Sequence, residues 1–205
     1  MKMTSPVLIL ATTLLLQFEV GRAAETNFVR RACCMKSLPP VTFTDKSLYQ
    51  AESKWTTDGG KGITLGDLKG KPQIVLMFFS HCTTACPVLV NDLRRIESAL
   101  SPEVRDKVGF TLVSFDSERD TPAALANYRS DWKLPASWTL LHGDSDDVTE
   151  LAALLGIQFK ASPDGQFAHS NVITLLDANG EISFQLAGLD ADPKEMVGRI
   201  EQMVK

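Results

Sequence analysis

The soft and nucleophilic chemistry of this 205-residue chain rests on few side chains. There are four cysteines and three histidines. Cys82 and Cys86 stand in the stretch Cys82-Thr83-Thr84-Ala85-Cys86-Pro87, and Cys33-Cys34 are adjacent. A thiolate attacks disulfides and binds soft metals, so the surroundings of each thiol decide its use. On a regular helix, a spacing of four would put two sulfurs on one face, roughly 6 Å of rise apart. A non-helical conformation at Cys82 would close that gap to a disulfide or a shared metal ion. A plain disulfide stapling the start of a helix is the simplest alternative.

The flanking elements place this pair. Gln73 to Phe79 is a continuous apolar run without Gly or Pro, which reads as a buried central strand. After Cys86, Val88, Leu89, Leu93 and Ile96 form the apolar face of a helix, with Asp92, Arg94, Arg95 and Glu97 on its wet face. Pro87 suits the first turn, where a missing N–H costs nothing. The cysteines therefore sit where a strand ends and a helix begins. The unpaired N–H groups and partial positive charge of such a helix end favour thiolate over thiol.

The rest of the chain reads as one α/β domain. Trp55 to Gly60 suggests a short strand and turn, and Ile63 to Gly70 another short strand with a helical turn. Val108 to Phe115 is a second strong strand. Thr121 caps a helix that starts with Pro122 and runs to about Asp131. Trp138 to Leu141 is a third strand, and the helix after Asp144-Ser145-Asp146 ends before Gly156. Val172 to Leu176 and Ile182 to Leu186 flank the turn Asp177-Ala178-Asn179-Gly180 as a hairpin. A last helix runs from about Pro193 to Val204. Parallel strands followed by a hairpin describe a thioredoxin-like α/β sandwich, a central mixed sheet flanked by helices.

Composition narrows the classes. The chain is 44% hydrophobic and 22% charged, with a net charge of −4. No basic stripe suggests nucleic acid. Near the start, Lys2 precedes the apolar run Val7 to Leu16, and Gly21-Arg22-Ala23 offers small residues for cleavage after Ala23. The expected division is a signal peptide at 1–23, a linker carrying Cys33-Cys34 at 24–47, and the folded domain at 48–205. The apolar run is too short for an ordinary transmembrane helix, and an uncleaved anchor is the alternative. An exported protein would work in a compartment that permits disulfides, at the periplasm or the outer face of the inner membrane. Cys33-Cys34 could provide two soft ligands, a redox partner for the other pair, or a passive pair in a tail.

Four ordered segments resemble the Sco/SenC family, exported copper proteins that assist assembly of cytochrome c oxidase. Phe79 to Pro87 (FSHCTTACP) is similar to its C-x-x-x-C-P motif. Ser114 to Pro122 (SFDSERDTP) resembles its S-x-D-P-E-R-D-T-P segment, with Ser117 in place of Pro. Ala168-His169-Ser170 resembles its D-H-S/T, and Leu175 to Glu181 (LLDANGE) its L-L-D-x-x-G-E. The resemblance spans about Trp55 to Lys205. It implies a copper site of Cys82, Cys86 and His169, holding Cu(I) and also Cu(II) if a fourth ligand joins. In such a fold the strand after His169 runs antiparallel to the central strand, so it starts at the cysteine end. Without the resemblance, His169 reads as a surface-loop histidine.

The resemblance allows two functions. One is a metallochaperone that delivers copper to the copper-bearing subunit of a cytochrome c oxidase or another copper protein, touching the membrane only through that partner or an uncleaved N-terminus. The other is a thiol-disulfide oxidoreductase in which Cys82 and Cys86 reduce partner cysteines. A peroxidase on the same fold would use Thr83 three residues before Cys86, but leaves the second cysteine and His169 unexplained. Ala168 stands where the family has an acidic residue, which bears on transfer to a target more than on copper binding. His81 is expected to point away from the pair while still able to raise its thiolate fraction. His142 reads as structural, Asp116 as shaping the site, and Asp120, Arg119 and Thr121 as helix capping and loop pairing.

Overall fold

The computed structural model describes residues 44–205. The expected signal peptide, nearly all of the expected linker, and Cys33-Cys34 lie outside the described residues. Within them, β1 (Lys54–Thr57) and β2 (Gly62–Thr64) form a hairpin, and β3 (Gln73–Phe78) follows a single 3-10 turn at Leu65–Leu68. Then come α1 (Ala85–Ala99), the short α2 (Pro102–Arg105), β4 (Gly109–Ser114), α3 (Pro122–Asp131), β5 (Thr139–Gly143) and α4 (Ser145–Leu154). The chain continues through β6 (Phe159–Ala161), β7 (Phe167–His169), β8 (Val172–Leu176), β9 (Ile182–Ala187) and α5 (Lys194–Met203).

Seven strands make one mixed sheet in the order β2-β1-β5-β4-β3-β8-β9. β3, β4 and β5 are parallel, whereas β8 runs antiparallel to β3, with Gln73 opposite Leu176 and Leu76 opposite Ile173. Every residue of β3 and β4 is buried. That explains their unbroken apolar sequence, since helices cover both faces of the sheet and alternation is not needed. Leu89, Leu93 and Ile96 of α1 are fully buried, as are Met196 and Ile200 of α5. Gln73, the polar start of β3, is accommodated by donating to the Leu68 carbonyl at 3.0 Å and meeting Thr111 at 3.2 Å.

Capping signals act as their residue types predict. Thr121 Oγ1 accepts the Ala124 N–H at 3.3 Å with Pro122 at the first helical position. Asp144 accepts from Asp146 and Asp147, and Gly156 closes α4 at φ +66°. The third parallel strand lies slightly later than expected, over Thr139–Gly143, so His142 falls inside it opposite Thr56. The β1–β2 hairpin is joined to the sheet through β5. The main departure is between Ile157 and Ser170. That segment reads as a loop in the sequence, but it forms the separate two-stranded sheet β6–β7. Among the described residues, no helix is long and apolar enough to cross a membrane.

Candidate functional site

β3 ends at Phe78, and a tight turn follows in which the Cys82 N–H donates to the Phe79 carbonyl at 3.2 Å. Cys82 precedes α1 and is not helical, so its sulfur can swing toward that of Cys86. Thr84, the residue before α1, makes no side-chain cap. The Cys82 sulfur takes that place, accepting the Cys86 N–H at 3.3 Å. A free helical N–H thus polarises one thiol of the pair. Both cysteines are reduced and buried.

His169 arrives from the other side as the last residue of β7. Its Nε2 lies 3.6 Å from the Cys86 sulfur, and its Nδ1 lies 3.1 Å from the Ser170 carbonyl. A carbonyl can only accept, so Nδ1 carries the proton and Nε2 presents its lone pair to the sulfurs. Ligand atoms of Cys82, Cys86 and His169 lie within 4.8 Å of one another. The residues around them are aromatic. Phe115 and Phe79 have ring centroids 5.2 and 6.3 Å from the imidazole, the second edge-on. Such a shell limits water and fixes the ring plane.

The two thiols differ. Burial works most strongly against ionisation of Cys82, yet hydrogen bonds from Cys86 and Thr84 outweigh it and hold its pKa below the ordinary thiol value. Burial pushes the Cys86 thiol far up, and the neighbouring Cys82 and Asp120 push it further, against one hydrogen bond from Phe79. A lower pKa means more thiolate at a given pH. Alkylation of the reduced, metal-free protein near neutral pH is therefore expected at Cys82 first. Its rate should level off at lower pH than for an ordinary thiol, while Cys86 stays protonated well into the alkaline range. Peptide mapping after timed iodoacetamide exposure reads this directly, and equal labelling of both cysteines would contradict it.

His81 points away from the sulfurs, with Nδ1 2.9 Å from Ser80 Oγ. Together with Asp116 and Asp120 it forms a second close group of His and Asp side chains. Those carboxylates are already engaged. Asp120 is fully buried and accepts the Ser80 N–H at 2.8 Å, the Ser114 hydroxyl at 2.5 Å and the Ser80 hydroxyl. Asp116 pairs with the Arg119 side chain and accepts its N–H at 3.0 Å. Asp120 thus does more than cap a helix: it ties the end of β4 to the turn before Cys82. No periodicity signals that role, because its partners are serines 6 and 40 residues away. The β6–β7 hairpin did have a signal. Phe159 and Phe167 flank Ser162-Pro163-Asp164-Gly165, a turn sequence whose glycine adopts φ +77°.

A mixed sheet of this order, with a reduced cysteine pair at the β3–α1 junction and a histidine facing it, defines a thioredoxin-like protein whose cysteines and histidine are groups that can hold a soft ion or exchange thiols. The family model described as SCO1/SenC matches residues 42–205, and the chain belongs to that family. Protein SCO2, mitochondrial, of Saccharomyces cerevisiae is 30% identical over 156 residues, covering 73% of this chain and 51% of its own. The chain thus spans about half the length of that relative. The structure of Bradyrhizobium japonicum ScoI with copper bound has a TM-score of 0.60 at 26% identity, covering 74% of this chain and 96% of that one. BsSco, described as having a disulfide switch and as a member of the Sco family of cytochrome c oxidase assembly proteins, has a TM-score of 0.66 at 21% identity. It covers 80% of this chain and 98% of its own, a likeness of fold.

Proposed function

We propose that this chain is an exported metallochaperone that holds copper through Cys82, Cys86 and His169 and delivers it to the copper-bearing subunit of a cytochrome c oxidase. One observation carries the reading. The Ser170 carbonyl fixes the His169 tautomer so that a free Nε2 lone pair faces the Cys86 sulfur, with the Cys82 sulfur beside it. A redox dithiol has no need of such a group. Two thiolates and an imidazole suit Cu(I), and a fourth ligand would extend the set to Cu(II). Cys82 and the half-buried His169 lie at the edge of the core, which lets an ion enter and leave. The wider reading draws on the copper bound to ScoI of Bradyrhizobium japonicum and on the description of the Sco family as oxidase assembly proteins. Export, to the periplasm or the outer face of the inner membrane, is inferred from residues 1–23.

The inequality of the thiols favours a second reading on the same residues. The Cys82 thiolate would attack a partner disulfide and release one partner thiol. Cys86, losing its proton, would then displace the mixed disulfide and release the second. The chain ends with a Cys82–Cys86 disulfide and the partner gains two electrons and two protons. His169→Ala separates the two. It is expected to lower Cu(I) affinity by at least the roughly 10–100-fold that loss of an outer partner costs a metal site. Exchange with a small disulfide should stay near the wild-type rate. Parallel loss of both activities, or loss of exchange alone, would sink the copper reading of His169.

A further inference from the structure

His169 sits on a two-stranded sheet with no ladder to the main one. On its C-terminal side the chain enters β8 of the main sheet three residues later, at Val172, so the backbone brings His169 to the cysteine end, while the free tip of the hairpin is held by side-chain ties. Phe167 packs against Phe79 and Phe115, with ring centroids 5.0 and 6.3 Å away. Aromatic contacts resist separation but tolerate sliding, so they do not by themselves fix a nitrogen against a sulfur. Gln166 reaches the His81 carbonyl only at 3.4 Å. Arg119 makes the directional tie. Its Nε donates to the carboxylate of Asp116, which is only 4% exposed, and its Nη2 donates to the Gly165 carbonyl at 2.5 Å. Gly165 has φ +77°, and a Cβ there would lie 2.8 Å from Arg119 Nη1. The hairpin tip has no side chain where the guanidinium passes. Asp116 directly follows Ser114-Phe115 at the end of β4, the strand beside β3, so the tie runs from the main sheet to the tip of the hairpin bearing His169.

We propose that Arg119 is a positioning residue for His169, clamping the tip of the β6–β7 hairpin to Asp116 so that the imidazole is held at the cysteine pair. The consequence for metal rests on the copper reading above; the clamp itself does not. Two measurements on the reduced full chain keep them apart. In the metal-free protein, Arg119→Gln should speed amide exchange across Ser162–Phe167 about tenfold, as expected for losing a hydrogen bond to a charged group, and Arg119→Lys should restore part of the protection. In Cu(I) competition, Arg119→Gln should cost about tenfold in affinity, and nothing further in a His169→Ala background, because its effect passes through His169. Unchanged hairpin exchange in Arg119→Gln would overturn the clamp, as would an equal affinity loss with and without His169. A wild-type protein that ignores copper would remove the copper reading alone, and hairpin exchange would still decide the clamp.

Discussion

Cys82→Ser/Cys86→Ser is expected to lower Cu(I) affinity by at least roughly four orders of magnitude, taking the upper figure of about 100-fold for loss of an outer partner as a floor for each direct ligand lost. Serine keeps the size of the side chain but replaces a soft sulfur with a hard oxygen that stays protonated. His169 alone cannot hold Cu(I) against a strong chelator. The fold should survive, because Cys86 makes its main structural contribution by filling space, and a buried hydroxyl without a partner costs about 1–3 kcal/mol. A chromophoric Cu(I) chelator in competition with the reduced protein gives the affinity. Retention of wild-type affinity would remove the pair from the site. If the retained copper is then lost on adding Cys33→Ser/Cys34→Ser, the vicinal pair is the binding locus instead.

Asp120→Ala has the largest expected effect on stability. The carboxylate is buried and takes the Ser80 N–H, the Ser80 hydroxyl and the Ser114 hydroxyl. Truncation leaves an unpaired backbone N–H and two hydroxyls in a dry place, each costing about 1–3 kcal/mol. Some relief comes from no longer burying a carboxylate, so a net loss of about 3 kcal/mol is expected. For a domain of this size that lowers Tm by roughly 6–12 °C. Because Ser80 stands two residues before Cys82, the turn that sets the first sulfur should loosen as well. Asp120→Asn, which keeps one acceptor oxygen, should fall between. Thermal unfolding of the three proteins checks the order, and a Tm for Asp120→Ala within about 1 °C of wild type would contradict it.

Much of this architecture can be read from residue patterns. The apolar run Gln73 to Phe79 states a doubly covered strand, and Thr121-Pro122, Asp144 and Gly156 state their helix ends. Asp177 to Gly180 states the β8–β9 turn. These signals are local, and neighbours within a few residues decide them. What the sequence conceals is long-range. The imidazole lies 83 residues from the sulfur it faces, and only the resemblance places it there. The strands of the β6–β7 hairpin escape because they are three residues each and too short for a period to emerge, although the turn between them, Ser162 to Gly165, is legible. Asp120 and Arg119 look like ordinary loop polars. Their roles come from partners on other elements, Ser80 for one and Gly165 for the other. The two thiols part in pKa because burial raises Cys86 while hydrogen bonds from Cys86 and Thr84 outweigh burial at Cys82, and both are properties of the packed domain.

The central claim is that two sulfurs and one imidazole nitrogen hold the same copper ion. Copper-edge X-ray absorption on the Cu(I)-loaded, full-length reduced protein reads that shell directly. The account predicts two sulfur scatterers and one nitrogen from an imidazole, with the imidazole signature absent in His169→Ala and the sulfurs retained. A shell of sulfurs alone, unchanged by His169→Ala, would contradict it and leave His169 outside the site.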